Sequence, residues 1–372
     1  MSLLDDVSIV VTPNGYKAGE LYAVIPSDGT ADMDVTRATD ATRVDENGLI
    51  ADVLSNVPRI DYTGGGCPHI LAEPQRTNLW KNSEGSAITL TSPLGTFDFY
   101  NITSSSVNDN SVITAGTIVS ATFIVKKADG TTPTITLSSG SGDVIFRITG
   151  TSAAGVDGAL TDIGNGFYTF KLENYSVSGN NSDNRISNNS GDVVYVSLIQ
   201  LEEGSYSTSY IPTSGSTVTR NQDQFSRDGI GSLINSTEGV LFAEISALAD
   251  DSTNRSIALS DGSSSNIILF RYEGSNTIRG FVINGGVIQA NFTFTHNNIN
   301  NLKFAVKWKL NDFAYWVNGT EVLTDTSGSV PTGLNRLALD NGSGNEDFYG
   351  KVKQLQVYQT ALSDTQLAAL TS

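Results

Sequence analysis

Apolar and polar positions alternate with a period of two along most of this chain, the pattern of strands buried on one face. Val7-Ser8-Ile9-Val10-Val11 and Leu21-Tyr22-Ala23-Val24-Ile25 open it. A denser set of predicted strands covers residues 117–125, 134–137, 144–148, 167–172 and 192–199. A third set covers 240–245, 267–270, 278–283, 302–308 and 313–317. Gly, Asn and Asp punctuate these runs at the spacing of a β-sandwich. Asp129-Gly130 is a hairpin signal, and Asn318-Gly319 predicts a type I′ turn between Tyr315-Trp316-Val317 and Glu321-Val322-Leu323. Only residues 363–370 have helical spacing: Leu362, Leu367 and Leu370 share a face, and Ser363 is placed to cap.

These patterns predict an all-β protein: an N-terminal extended anchoring segment followed by two β-sandwich (jelly-roll) domains. Residues 1–81 become irregular after Ile25, with Asp45-Glu46-Asn47-Gly48 and Gly64-Gly65-Gly66-Cys67-Pro68. So few periodic positions do not make a core, so this segment is expected to order against a partner chain or a neighbouring domain. Residues 82–204 are the first predicted sandwich and 236–372 the second. Residues 205–235 are rich in Ser, Thr and Gly but hold Tyr206, Tyr210 and Pro212, which predicts a linker laid along a surface. No heptad or solenoid period is present, which argues against a coiled-coil shaft.

Composition narrows the functional classes. The 372 residues fit two or three domains of about 150 residues each. The net charge of −17 opposes binding to nucleic acid, which needs a basic footprint, and docking on an anionic bilayer. The longest apolar runs, such as Ile267-Ile268-Leu269-Phe270, are far short of a membrane span, so no membrane insertion is expected. Met1–Asp6 lacks the basic-then-apolar order of a signal peptide. The single cysteine, Cys67, excludes an intramolecular disulfide. Two histidines, His69 and His296, leave little for a His-rich metal centre.

Catalytic patterns are absent from the sequence. There is no G-x-S-x-G pentad, and Ser141 between Gly140 and Gly142 reads as a turn. Cys67 and His69 flank Pro68; a thiol–imidazole pair is one reading, and a structural turn around a small thiol is the preferred one. Asp250-Asp251, Glu202-Glu203 and Glu346-Asp347 are adjacent pairs, so within a strand their carboxylates diverge. No catalytic residue is assigned and no enzyme is expected. Asp340, Asn341, Glu346 and Asp347 crowd oxygen ligands into one loop, a candidate calcium site whose alternative is a solvated acidic turn. Arg271, Tyr272, Trp316 and Tyr349 are the candidate glycan-binding residues, because exposed aromatics stack on sugar faces. Tyr315 and Trp316 alternate, so one of them must face the core.

Two resemblances add to this reading. Phe304-Ala305-Val306-Lys307-Trp308, Ala314-Tyr315-Trp316-Val317-Asn318-Gly319, Gly350-Lys351-Val352-Lys353-Gln354-Leu355-Gln356-Val357-Tyr358 and Ala361-Leu362-Ser363-Asp364-Thr365-Gln366-Leu367 follow one another in chain order. That order resembles the laminin-G/pentraxin branch of concanavalin-A-like jelly rolls. Trp316 stands as an additional residue in the family's hairpin, which predicts a bulge in its first strand. The rest of the chain is similar to bacteriophage virion proteins, namely head-fibre, spike and tail-fibre proteins of phages infecting Bacteroidetes-type bacteria. Pro13-Asn14-Gly15-Tyr16-Lys17, Thr36-Arg37-Ala38-Thr39, Val57-Pro58-Arg59-Ile60-Asp61-Tyr62 and residues 71–79 and 199–213 carry that similarity. It implies a homotrimer on the virion surface, assembled in the host cytoplasm. Other virion proteins would be met through residues 1–81, and host-surface carbohydrate would be the outward partner. Two alternatives are a purely architectural capsid decoration and a glycan depolymerase.

Overall fold

The computed structural model describes residues 6–137, 143–148, 158–179, 183–188, 190–274, 276–296 and 298–372. Ser141 lies outside the described residues. The fold is all-β, as the alternation predicts. It divides into two compact units, whose make-up cuts across the four segments read from the sequence. Unit 1 comprises Met1–Asp40, Val53–Pro74 and Gln222–Ser372; unit 2 comprises Ala41–Asp52 and Gln75–Asn221.

Unit 1 is built on one continuous sixteen-stranded sheet. The Val7–Lys17 strand pairs on one side with Glu20–Ile25 and on the other with Gly350–Tyr358. Gly350–Tyr358 pairs on with Glu238–Ala247. Gln224–Arg227, from the predicted linker, bridges Met33–Thr36 and Arg336–Ala338. The N-terminal strands are therefore members of the same sandwich as residues 236–372. The physical cause is their apolar face: Ile9, Val11, Leu21, Met33 and Val35 share one core with Leu241, Phe304 and Val357. The sheet doubles over on itself, so Phe270 meets Phe304 at 5.7 Å between ring centroids and Phe292 stacks on Tyr315 at 5.8 Å. Gly280 sits where the layers touch; a Cβ there would come within 3.3 Å of the Tyr315 ring.

The Phe313–Val317 strand is buried on both faces. Tyr315 enters the main core, while Trp316 enters a second cluster with Val7, Val10, Leu362 and Leu367. Asn318 and Gly319 have φ of 47° and 78° and join Val317 to Thr320, as a type I′ turn requires. The predicted bulge is present but on the return strand: Tyr315 faces Leu323 and Trp316 faces Glu321, which leaves Val322 extra. The helix Asp364–Thr371 begins at Ser363, whose N–H donates to Gln366 Oε1 at 3.0 Å.

Distant parts of unit 1 are tied by a sealed ionic network. Arg37 Nη1 donates to Asp223 Oδ1 at 2.8 Å, and Arg59 bonds both Asp223 and, at 2.6 Å, Glu73. The Glu73 N–H also donates to Asp223 Oδ2 at 2.9 Å. Burial alone would lower the Arg59 pKa, but Asp223 and Glu73 more than offset it and hold it above the ordinary arginine value.

Unit 2 is a sandwich of a six-stranded and a four-stranded sheet. Phe123, Phe146 and Phe170 interlock at its centre, 4.8 to 5.7 Å apart. Asp129-Gly130 makes a turn, with Gly130 N–H donating to Lys127 O at 3.1 Å. It is not a hairpin: Ile135–Leu137 goes to the opposite sheet and pairs in parallel with Val144–Arg147. The predicted linker begins inside this unit, where Tyr206 is buried and Val218–Arg220 pairs with Arg76–Asn78.

Candidate functional site

In unit 1, Ile60–Asp61 and His69–Ala72 form a short antiparallel pair with Asp61 opposite His69. His69–Ala72 pairs on with Gly350–Tyr358, Leu71 opposite Lys351, and Lys351 is in turn opposite Ser246. Cross-strand partners share a face, as do residues two apart. Asp61, His69, Lys351 and Ser246 therefore lie on one face, while Ile70 and Val352 enter the core behind it. Val352 faces Ile245 and Gln354 faces Glu244, so Lys353 is the extra residue of a β-bulge on the same rim.

A hollow of ≈ 490 Å³ opens over this face. One wall is the loop Thr63-Gly64-Gly65-Gly66-Cys67. Gly64, Gly65 and Gly66 have φ of 95°, 73° and 79°, a left-handed run that side chains resist. Asp61 anchors the loop: its Oδ1 accepts the Thr63 N–H at 2.8 Å and lies 3.1 Å from His69 Nε2. Asn300 and Asn301 also line the hollow, and the Asn301 N–H donates to Ser246 Oγ at 2.8 Å. Lys353 Nζ stands 3.5 Å from Glu244, and Lys351 has no ion-pair partner among the described residues. No Asp or Glu lines the hollow among the described residues. Amides, a hydroxyl and ammonium groups suit an oxygen-rich ligand and not an apolar one.

Unit 2 has a second hollow, of ≈ 420 Å³, lined by Gln75, Arg76, Thr77, Leu79 and Glu203. The Arg76 guanidinium lies over the Tyr206 ring, 5.1 Å from its centroid. This hollow holds a cation and a carboxylate together.

The glycan-binding residues read from the sequence fare differently. Tyr272 and Trp316 are 3% and 7% exposed, so neither ring is open to a sugar. Tyr272 packs edge-on against His296 and Phe304, and burial pushes its phenol far up. Trp316 is covered because the helix Asp364–Thr371 and Val7–Lys17 lie over the strand face that would otherwise be exposed. Arg271 is half-buried, held by Glu273 and stacked 4.8 Å from the Phe281 centroid. Tyr349 is half-buried, and its hydroxyl bonds Gln222 Oε1 at 3.0 Å and Asp347 Oδ2 at 3.3 Å. The structure does not bring these four side chains into one binding surface.

The residues of the predicted calcium loop are bonded within unit 1. Among the described residues no group of three or more His, Cys, Asp or Glu side chains could hold a metal ion. The loop's oxygens are spent internally: Asp340 accepts from Arg336 at 3.1 Å, Glu346 from Asn254 at 2.9 Å, and Asn341 Oδ1 from Ser343 N–H at 3.1 Å. Asp347 bonds Gln222 and Tyr349, and burial pushes its carboxyl up. The sequence reading passed over Lys351 and Lys353 and took Cys67 and His69 as a plain turn. The available signals were three glycines in a row and a Lys-x-Lys on a predicted strand.

No family model and no curated protein matches the chain. Solved structures do show partial likeness. The CBM40 of the Ruminococcus gnavus IT-sialidase matches 38% of this chain and 86% of its own, at 16% identity and a TM-score of 0.32. The NanB sialidase of Streptococcus pneumoniae matches 40% of this chain and 26% of its own, at 16% identity and a TM-score of 0.32. A heptameric SAP-like pentraxin from Limulus polyphemus matches 37% of this chain and 70% of its own, at 12% identity and a TM-score of 0.29. Each likeness stops short of half of this chain, and the chain is assigned to no family.

Proposed function

We propose that this protein is a glycan-binding adhesin on the surface of a phage particle, acting as a homotrimer and assembled in the host cytoplasm. The observation that carries the binding role is the unit 1 hollow. Its ≈ 490 Å³ falls in the range of small-ligand sites, and its walls offer amide, hydroxyl and ammonium donors to a polyhydroxylated ligand. A glycosidase needs two carboxyl groups flanking the bond it cuts, so a lining without Asp or Glu among the described residues favours binding over hydrolysis. The virion and trimer roles rest on the sequence similarity to fibre and spike proteins. Attachment to other virion proteins is assigned to residues 1–81, where Leu54 is 68% exposed and Val24 is 43% exposed. Trimers at many copies per particle would multiply weak sugar contacts into firm adsorption.

Two measurements test this. Light scattering of the full chain should give three times 39.5 kDa. Sedimentation with host-surface polysaccharide should retain the protein without releasing reducing ends. Absence of retention on any host polysaccharide overturns the adhesin role, and reducing-end release replaces it with a depolymerase. Normal adsorption by particles lacking the protein would assign it to capsid architecture.

A further inference from the structure

We propose that the unit 1 hollow is selective for an acidic sugar, with Lys351 and Lys353 receiving its carboxylate or sulfate group. This deepens the glycan-binding reading of the same hollow and rests on it. The chain carries 39 acidic against 22 basic side chains, so a lysine has abundant carboxylates to pair with. Buried lysines here do so: Lys127 Nζ lies 2.8 Å from Asp192 and 3.4 Å from Asp143, and Lys307 Nζ lies 2.6 Å from Asp312. Lys351 is half-buried on a sheet face, yet no carboxylate reaches it among the described residues. An ammonium kept in a hollow without a counter-charge is poised for an anion from outside.

The backbone roots the two lysines close together on one strand. Lys351 and Lys353 are two residues apart on one strand, hence roughly 7 Å apart at their roots. The bulge at Lys353 tilts it out of strict register with its neighbour strand. Two long, flexible side chains rooted at that spacing can converge on one multi-oxygen anion as point charges. Glu244 at 3.5 Å from Lys353 holds that side chain at the rim and leaves Lys351 the freer of the two. The same hollow offers hydroxyl-binding groups around the anion. Ser246 Oγ accepts the Asn301 N–H and keeps its own proton to donate, and Asn300 and Asn301 line the same space. An anion flanked by hydroxyls is the chemistry of a uronic or sulfated sugar.

The experiment is calorimetric titration of the full chain with three oligosaccharides of equal length. One carries glucuronic acid, one carries sulfate esters, and one is a neutral glucan. An acidic ligand should bind about tenfold or more tighter than the neutral one, with a preference that shrinks as sodium chloride rises. The carboxylate and sulfate arms identify which anion is taken. The double variant Lys351→Gln with Lys353→Gln should erase the preference, whereas Lys351→Arg should keep it; unchanged thermal unfolding shows that each variant is folded. Equal affinity for neutral and acidic ligands overturns the charge selection and leaves glycan binding standing. A preference that survives the double variant places the anion elsewhere and overturns this site. If no oligosaccharide binds, titration with inorganic sulfate, read on the lysine side-chain resonances, separates the two ideas. A lysine-dependent shift would keep the anion site and remove the glycan reading; no shift would remove both.

Discussion

The unit 1 and unit 2 hollows are close in size and differ in electrical character. The unit 2 hollow is lined by both Arg76 and Glu203, one charge of each sign. The unit 1 hollow presents Lys351 and Lys353 with no carboxylate in its lining among the described residues. Volume therefore says little about which of them awaits a ligand. A hollow lined by charges of both signs gives an incoming ion attraction and repulsion together, and so little net gain. In the unit 1 hollow Glu244 answers Lys353 at 3.5 Å, but no carboxylate among the described residues answers Lys351, so an anion arriving there displaces no partner.

The hardest way to break this contrast is to release the scaffold under the unit 1 hollow. Asp223→Ala would leave the Arg37 and Arg59 guanidinium groups buried without their shared carboxylate. The expected loss is about 3–5 kcal/mol of stability, read from denaturant midpoints. Arg59 and Glu73 flank the chain stretch that carries the glycine loop, so glycan affinity should fall as well. Trp316→Ala should cost a similar amount, about 3–5 kcal/mol, by emptying the cluster under the C-terminal helix. Its glycan affinity should stay at the parent value under conditions where the variant is folded. A loss of affinity there would restore the aromatic platform and weaken the cation hollow.

Smaller effects probe unit 2. Gly204 has φ of 145°, and a Cβ on it would lie 2.7 Å from Arg76 Nη2. Gly204→Ala should cost about 1–3 kcal/mol and move Arg76 off the Tyr206 ring, reshaping this hollow and leaving sugar binding in unit 1 intact. Glu202 supplies the finest test. Burial pushes its carboxyl up, although the Thr208 N–H and hydroxyl and the Arg220 charge pull the other way. A carboxyl raised on folding favours the folded state below its ordinary pKa, and that advantage is lost as pH rises through the raised value. Glu202→Gln should therefore raise the unit 2 denaturation midpoint at neutral pH. The gain should vanish below about pH 4, where the parent side chain is protonated in both states.

Much of the fold was legible because local signals and tertiary packing agree. Alternation at residues 117–125 and 167–172 marks strands that do pair, and Asn318-Gly319 adopts the two positive φ angles its turn needs. The same locality explains the failures. Trp316 looks half-exposed because nothing near it in sequence reveals that Leu362 and Val7 cover its face. Residues 1–81 look coreless because the partners of Ile9 and Val11 lie more than two hundred residues away, at Leu241 and Val357. The acidic loop's donors, Arg336 and Asn254, belong to other turns and strands and are not legible in the loop itself. The face beneath the unit 1 hollow brings Asp61, His69, Ser246 and Lys351 together through the register of four strands, and strand register is not written in any single stretch of residues.

The pairing of Val7–Lys17 with Gly350–Tyr358 has a consequence for how the chain acquires its structure as it is made. The strands of unit 2 all lie between Ala41 and Asn221, so its partners leave the ribosome early and together. Unit 1 must hold its opening strands unpaired on that side until synthesis has passed residue 358. Those strands are apolar and wait through most of translation, which is when edge pairing with other chains is most dangerous. Slowing the last stretch of synthesis should therefore harm the yield of folded protein more than slowing the middle, and the opening strands are where aggregation would begin.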